Sequence, residues 1–247
     1  MGTKMAVAFA DIFMARIENA ILRQSNSTPI FWKRFIDDII SMWDTSRDKI
    51  DAFLLRANSF HPTIKFTAEI SEKETIFLDT IVYKGDRSLR ESILDVRTYF
   101  KPTETFQYTN FHSCHPPGVT KSFIKGEAFR LLRTNSSRTT FEENIRSFAT
   151  RLKDRGYPAA TVEKHLSEVK FSERETSLTN RNRTAQNNIL PFVTQYHPAL
   201  PNLKEILMGK WPLIQNQPQL RNIFKEPPIL SYRKGKSLKD ILVKAKL

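Results

Sequence analysis

Asp37 and Asp38 stand side by side between two short apolar runs, Phe31 to Ile36 and Ile39 to Trp43. Both runs are rich in aromatic and β-branched residues, so the pattern predicts a hairpin with the acidic pair at its tip. Asp tolerates the left-handed backbone that such turns demand. Adjacent carboxylates on an apolar hairpin repel each other and are poorly solvated, and a divalent cation relieves both costs. Oxygen donors of this kind suit Mg²⁺, which takes one or two protein carboxylates and completes its shell with water or phosphate oxygens. The chemistry within reach is phosphoryl transfer, where two ions stabilise the attacking and leaving oxygens. The same dipeptide also serves as an ordinary polar turn, and taken alone that use is the commoner.

The surrounding elements follow from periodicity. Met5, Phe9, Ile12, Phe13, Ile17 and Ile21 recur at spacings of three and four, which predicts an amphipathic helix over residues 4–22. Ser25 to Pro29 is a polar break before the hairpin. Beyond it, Thr45 and Asp48 resemble a capping box, and Ile50, Phe53, Leu54 and Ala57 mark a short helix that ends by His61-Pro62. Ile64, Phe66, Ala68 and Ile70 alternate with polar residues, the signature of a half-buried strand. Ile76 to Tyr83 and Ile93 to Phe100 read as further strands, with Lys84-Gly85-Asp86 as a turn. Residues 1–100 are thus expected to be α+β, a helix layer on a largely antiparallel sheet.

From Pro116 the pattern turns helical. Phe123, Ala128, Leu131 and Leu132 mark one helix. Thr140 with Glu143 forms a second capping box, followed by the stripe Phe141, Ile145, Phe148 and Leu152 and the stop Gly156 and Pro158. Val162, Leu166 and Val169 mark a third helix. Ser172 to Asn188 is polar and reads as an exposed linker, and the proline-containing tail holds one helix, Asn202 to Trp211. The expected organisation is residues 1–100, a basic helical region 101–170, a linker 171–190 and an extension 191–247.

Charge divides the chain in two. Residues 1–100 hold 14 Lys+Arg and 14 Asp+Glu, so the whole formal charge of +13 comes from residues 101–247. A polyanion is the natural partner of such a rear half, because each phosphate neutralised releases counterions. Arg130, Arg133, Arg146, Arg151, Lys153 and Arg155 are the candidate phosphate contacts. On a helix surface such residues also serve simply as a solvated face. Phe106, Tyr108 and Phe111 could stack on bases, although aromatics in such a region more often belong to the core. His112, Cys114 and His115 fall short of a zinc ligand set, which needs four ligands or three plus water. With Cys114 as its one cysteine, the chain has no disulfide framework and fits a reducing intracellular setting, the nucleus included. Neither a signal peptide nor a run apolar enough to span a bilayer is evident, so no membrane partner is expected.

Phe35-Ile36-Asp37-Asp38 resembles the aromatic-x-Asp-Asp box of reverse transcriptase palm domains. Met1-Gly2-Thr3-Lys4-Met5-Ala6, with Ala10-Asp11-Ile12-Phe13-Met14, is similar to the loop and helix that precede that box. Phe77-Leu78-Asp79-Thr80, Phe100-Lys101-Pro102-Thr103, Ser113-Cys114-His115-Pro116, Arg155-Gly156-Tyr157-Pro158, Tyr196-His197-Pro198 and Trp211-Pro212-Leu213 narrow the resemblance to Penelope-like retroelements. The resemblance implies RNA-directed DNA synthesis, with a partial palm followed by a helical thumb and an RNA template and DNA primer or duplex as partners. It makes Asp37 a catalytic Mg²⁺ ligand and Asp38 its neighbouring ligand or electrostatic support. It places Gly2 and Lys4 at the nucleotide or template and Lys101 near the primer.

Family polymerases carry a further metal-binding Asp upstream of the Gly2 loop, and many continue beyond the thumb into a GIY-YIG nuclease domain. This sequence begins at Met1-Gly2 and ends at Leu247. The expectation is therefore a fragment that does not polymerise alone and holds Mg²⁺ weakly or not at all. The alternative is a non-enzymatic, helix-turn-helix-like protein that binds nucleic acid through residues 101–170.

Overall fold

The computed structural model describes residues 5–179 and 190–233. Gly2 and Lys4 lie outside the described residues, as does the 180–189 part of the expected linker. The chain divides into two units, Met1–Glu104 with Thr134–Thr140, and Thr105–Arg133 with Phe141–Leu247. Helices and small sheets alternate along it, an α+β composition.

In the first unit, the predicted amphipathic helix is α1, Ala6–Gln24. Its C-terminal half supplies Ile17, Ile21 and Leu22 to a core completed by Phe53, Ala57, Trp32, Trp43, Phe60 and Phe66. Strands β1 (Phe31–Phe35) and β2 (Asp38–Met42) form the predicted antiparallel hairpin, paired from Phe31↔Met42 to Phe35↔Asp38. Helix α2, Arg47–Ala57, buries Ile50, Phe53 and Ala57 at helical spacing. The capping box expected at Thr45 does not form: Ser46 occupies the N-cap and makes no side-chain cap bond.

Three sheet expectations are corrected. Ile64 to Ile70 forms no strand: at Phe66 its backbone bonds a side chain rather than a neighbouring strand. Asn58 Oδ1 accepts from the Phe66 amide at 2.6 Å and Asn58 Nδ2 donates to the Phe66 carbonyl at 3.0 Å. Ile76 to Tyr83 is not one strand but a hairpin, β3 (Glu74–Phe77) and β4 (Thr80–Tyr83), turning at Leu78-Asp79. The expected turn at Lys84-Gly85-Asp86 instead opens the short helix α3, Asp86–Glu91, with Gly85 as its N-cap. A Cβ at Gly85 would collide with the Asp95 carboxylate, so a side chain there would force Asp95 to shift. Strand β5, Asp95–Thr98, completes the antiparallel order β3-β4-β5.

The turn Thr134–Thr140 belongs to the first unit because it is bonded to β5. Asn135, fully buried, accepts from the Thr98 amide and donates to Thr98 Oγ1 at 2.7 Å. Ser136 Oγ accepts from the Val96 amide at 2.9 Å and donates to Asp95 Oδ1 at 2.8 Å. Arg87 pairs with the same Asp95 carboxylate, which leaves this buried acid compensated.

In the second unit, α4 (Pro117–Thr134), α5 (Arg138–Asp154) and α6 (Ala159–Leu166) are the three predicted helices. Helix α5 starts before the predicted box, and Thr140 Oγ1 donates to the Ser137 carbonyl rather than capping. Ile124, Ala128, Leu131, Leu132, Phe148, Leu152, Val162 and Leu166 are buried in its core. Gly156, at φ 82°, closes α5: the Gly156 amide donates to the Lys153 carbonyl and the Tyr157 amide to the Leu152 carbonyl, a Schellman pattern. The start of the expected linker is structured rather than exposed coil. A 3-10 turn, Phe171–Glu173, leads into α7, Arg174–Leu178, and the Phe171 ring packs on Phe141.

The C-terminal part holds the predicted helix as α8, Leu203–Gln215, capped by Asn202, whose side chain accepts from the Glu205 amide. Unforeseen beside it are α9 (Pro218–Ile223) and a parallel strand pair, β6 (Pro191–Gln195) and β7 (Ile229–Arg233). Parallel strands need a crossover, and α8 and α9 supply it.

Candidate functional site

The acidic hairpin is built from β1, β2 and the first half of α1. Ile36 and Asp37 form its two-residue loop, and of the two only Ile36 takes a positive φ, 56°. A left-handed first position is the mark of a type II′ turn, usually filled by glycine. Here a β-branched residue fills it, which is rare and strained. The second hairpin repeats the arrangement, with Leu78 at φ 56° followed by Asp79.

Asp37 and Asp38 are both exposed on the tip. Beneath them lies Arg34, the organising residue of the region. Its Nη1 donates to Asp11 Oδ1 at 2.7 Å and to the Ile36 carbonyl at 2.9 Å, and its Nε donates to Glu18 Oε1 at 3.0 Å. Trp32 Nε1 donates to the same Glu18 oxygen at 3.2 Å. The bonds to Asp11 and then Glu18 raise the Arg34 pKa, locking its positive charge. Ala6, Val7, Ala10 and Met14 of α1 form a shallow apolar groove with Arg34 and Ile36, beside the acidic tip. Among the described residues, no three His, Cys, Asp or Glu side chains gather as a metal-ligand group. The chemistry of Asp37 and Asp38 fits Mg²⁺, for which they could supply up to two oxygen ligands.

The sequence-derived basic residues are not equivalent. Arg130 pairs with Glu127 at 2.7 Å. Arg133 Nε donates to the Ser177 carbonyl at 3.1 Å. Arg151 lies over the Phe106 ring at 3.3 Å, and Arg155 Nε donates to the Tyr108 carbonyl at 2.7 Å. These two arginines therefore hold residues 106–108 against the helical core, where the Tyr108 ring also packs at a tilt on Phe123 and edge-to-face on Phe148. That packing makes Tyr108 a core aromatic, and burial raises the pKa of its phenol. Lys153 faces Glu163 at 3.4 Å. Arg146 on α5 is exposed, and so is Lys101, which follows β5 in the first unit. Cys114, His112 and His115 are exposed, and the His112 ring packs edge-on to Phe111.

A second basic cluster was not singled out in the sequence. Lys125 of α4 and His165 of α6 converge on Glu168, with His165 Nδ1 3.1 Å from Oε1. Lys121, four residues before Lys125, shares its helix face. The Lys125 hydrogen bond, then that of His165, brings the Glu168 carboxyl down to about 2, and Lys121 adds to the effect. The spacing Gly118, Lys121, Ser122, Lys125 and Gly126 was the available signal.

Helices α5 and α6 meet through Arg155-Gly156-Tyr157-Pro158, a short glycine-containing turn of the kind that joins helices in a helix-turn-helix. Among the described residues, no helix is long and apolar enough to cross a membrane. No curated protein and no solved structure matches the chain. Residues 107–167, which cover α4, α5 and α6, match the family model of the animal helix-turn-helix domain.

Proposed function

We propose that the chain binds nucleic acid through the helical region 107–167. The observation that carries this reading is the helix-turn-helix match over three helices in the half of the chain that supplies all the net positive charge. Backbone phosphate is the main target. By position α6 is the recognition helix, yet its exposed residues are Ala159, Ala160, Glu163 and Lys164, which offer few donors to base edges. Binding to duplexes of unrelated sequence should therefore be similar at fixed salt. Affinity should fall steeply with salt, with a slope of roughly one per phosphate neutralised. Fluorescence anisotropy of the full chain with labelled duplexes tests both points. No binding at low salt sinks the reading, and strong discrimination among duplexes favours base readout instead.

A second reading rests on the acidic hairpin. We propose that residues 1–100 derive from the palm of a retroelement reverse transcriptase, with the helical region 101–170 as its thumb. An exposed acidic pair on a strained tip beside a groove supports it. Asp37 and Asp38 would hold one Mg²⁺, which when bound stabilises charge on phosphate oxygens. Arg34 fixes the carbonyl beneath the tip, and α1 walls the groove. Primer extension on an RNA template by the purified chain should be absent, because the two carboxylates alone are an incomplete two-ion set. Mn²⁺ should broaden the NMR signal of Asp38 in wild type and spare it in Asp37→Ala; equal broadening in both proteins would remove the metal role.

A further inference from the structure

Two lysines and a histidine, on two helices of the second unit, gather around one carboxylate. Lys125 of α4 and His165 of α6 both hydrogen-bond Glu168, and Lys121 lies one turn before Lys125 on the same face. Surface ion pairs of this kind contribute little to stability, so folding alone gives weak reason for two lysines and a histidine to crowd one acid. The helix beside them is bare. Gly118 and Gly126 bracket the two lysines, and a Cβ at either would meet nothing within 4 Å. Glycine within a helix costs about 1 kcal/mol relative to alanine. No packing inside the unit requires the exposed Gly126. Its absent side chain leaves room for an external group to approach the helix backbone. Gly118, Lys121, Ser122, Lys125 and Gly126 follow the i, i+3, i+4, i+7, i+8 pattern, so small and cationic residues share one stripe.

We propose that Lys121, Lys125 and His165 form a seat for one backbone phosphate of a nucleic acid running along this stripe of α4, and that Glu168 fills the seat as a built-in anion until the phosphate displaces it. The seat deepens the nucleic-acid reading and rests on it. Glu168 makes the contacts that a phosphate oxygen would make, so it restrains weak binding and is released only when a polyanion can use all three side chains together. A carboxylate and a backbone phosphodiester each present two oxygens that share one negative charge, so the same donors serve either, and the polyanion gains by bringing many phosphates at once.

The test uses the full chain and a labelled, mixed-sequence DNA duplex about two helical turns long. Glu168→Gln should bind about three- to tenfold more tightly at low salt, with a salt slope steeper by roughly one. Lys125→Ala should weaken binding, and the double variant should gain nothing over Lys125→Ala alone. Duplex binding by wild type that Glu168→Gln leaves unchanged or weakens overturns the seat while leaving the nucleic-acid reading intact. So does a gain that survives in the double variant. Should Glu168→Gln fail to fold, Lys121→Ala carries the test: a loss of about two- to fivefold supports the seat and no loss overturns it. Inorganic pyrophosphate separates the two ideas. If no variant binds duplex, yet pyrophosphate saturably shifts the Lys121, Lys125 and His165 signals of Glu168→Gln, the anion seat stands and the nucleic-acid reading falls. No shift and no duplex binding overturn both.

Discussion

Arg34 Nη1 donates to the carbonyl oxygen of Ile36 at 2.9 Å, so the guanidinium that joins β1 to α1 also pins the strained residue of the acidic turn. Strain of this kind persists only where neighbouring structure over-determines it. Arg34 supplies that constraint from below, while Asp37 and Asp38 stay exposed above.

Ile36→Gly should therefore stabilise the protein. A left-handed residue with a Cβ costs about 1–2 kcal/mol, and glycine removes that cost while adding roughly half as much unfolded-state entropy. Ile36 is 58% exposed, so little burial is lost. A net gain of about 0.5–1 kcal/mol in urea unfolding is expected. Marked destabilisation would mean that the side chain wall of the groove matters more than the backbone strain.

Arg34→Ala should be costly. Arg34 and Glu18 side chains are only 10% and 11% exposed, and removing one leaves the other buried and uncompensated. About 2–4 kcal/mol of stability should be lost. Glu18→Gln in the same background should recover part of it, because Gln keeps an acceptor for Trp32 Nε1 without the charge. Additive losses in the urea unfolding of single and double variants would show that Arg34 acts elsewhere.

Several features of this region were legible in the sequence. The aromatic and β-branched runs around Asp37-Asp38 gave the hairpin, and the Ile17–Ile21 spacing gave the buried end of α1. The failures have specific causes. The Ile64–Ile70 alternation correctly marks Ile64, Phe66 and Ile70 as half-buried, but periodicity cannot reveal that Asn58 replaces a partner strand. Leu78 gives no turn signal, since large apolar residues avoid φ above zero, so β3 and β4 read as one strand. β6 and β7 pair across a crossover of two helices, and local pattern carries no trace of so distant a partner. Nothing in the local sequence sets Asn135 apart from the polar residues around it, yet it is buried and bonded to Thr98. Of the basic residues selected on charge alone, Arg151 and Arg155 turn out to clamp residues 106–108. Charge composition cannot distinguish such a clamp from a free surface cation.

Acidification should show the Glu168 contact directly. The folded carboxyl sits at about 2, held down first by the Lys125 hydrogen bond and then by His165. A depressed folded value means that the unfolded chain binds the proton more readily. The stabilisation is fully present above the ordinary Glu range, near 4.3, and is lost as pH falls through about 2. As pH falls between these limits, thermal unfolding should become easier for wild type, with a steeper pH slope than for Glu168→Gln. The difference should shrink at high salt, since the pair lies at the surface. Identical slopes for the two proteins would mean that Glu168 does not hold its proton-free form through Lys125.

Arg146 and Arg155 separate surface charge from architecture within the same helical region. Arg146 is exposed on α5, whereas Arg155 bonds the Tyr108 carbonyl and its own carbonyl accepts from the Phe111 amide. Arg146→Ala should leave the melting temperature unchanged. It should weaken duplex binding by a similar factor for every sequence, lowering the salt slope by roughly one if Arg146 meets a phosphate. Arg155→Ala should instead cost about 1–3 kcal/mol of stability, because the Tyr108 carbonyl loses a charge-assisted donor in a part-buried setting. Its effect on duplex affinity should vanish once binding is measured well below the lowered melting temperature. A melting-temperature loss in Arg146→Ala, or an affinity loss in fully folded Arg155→Ala, would exchange the two roles and move the phosphate path toward the Gly156 turn.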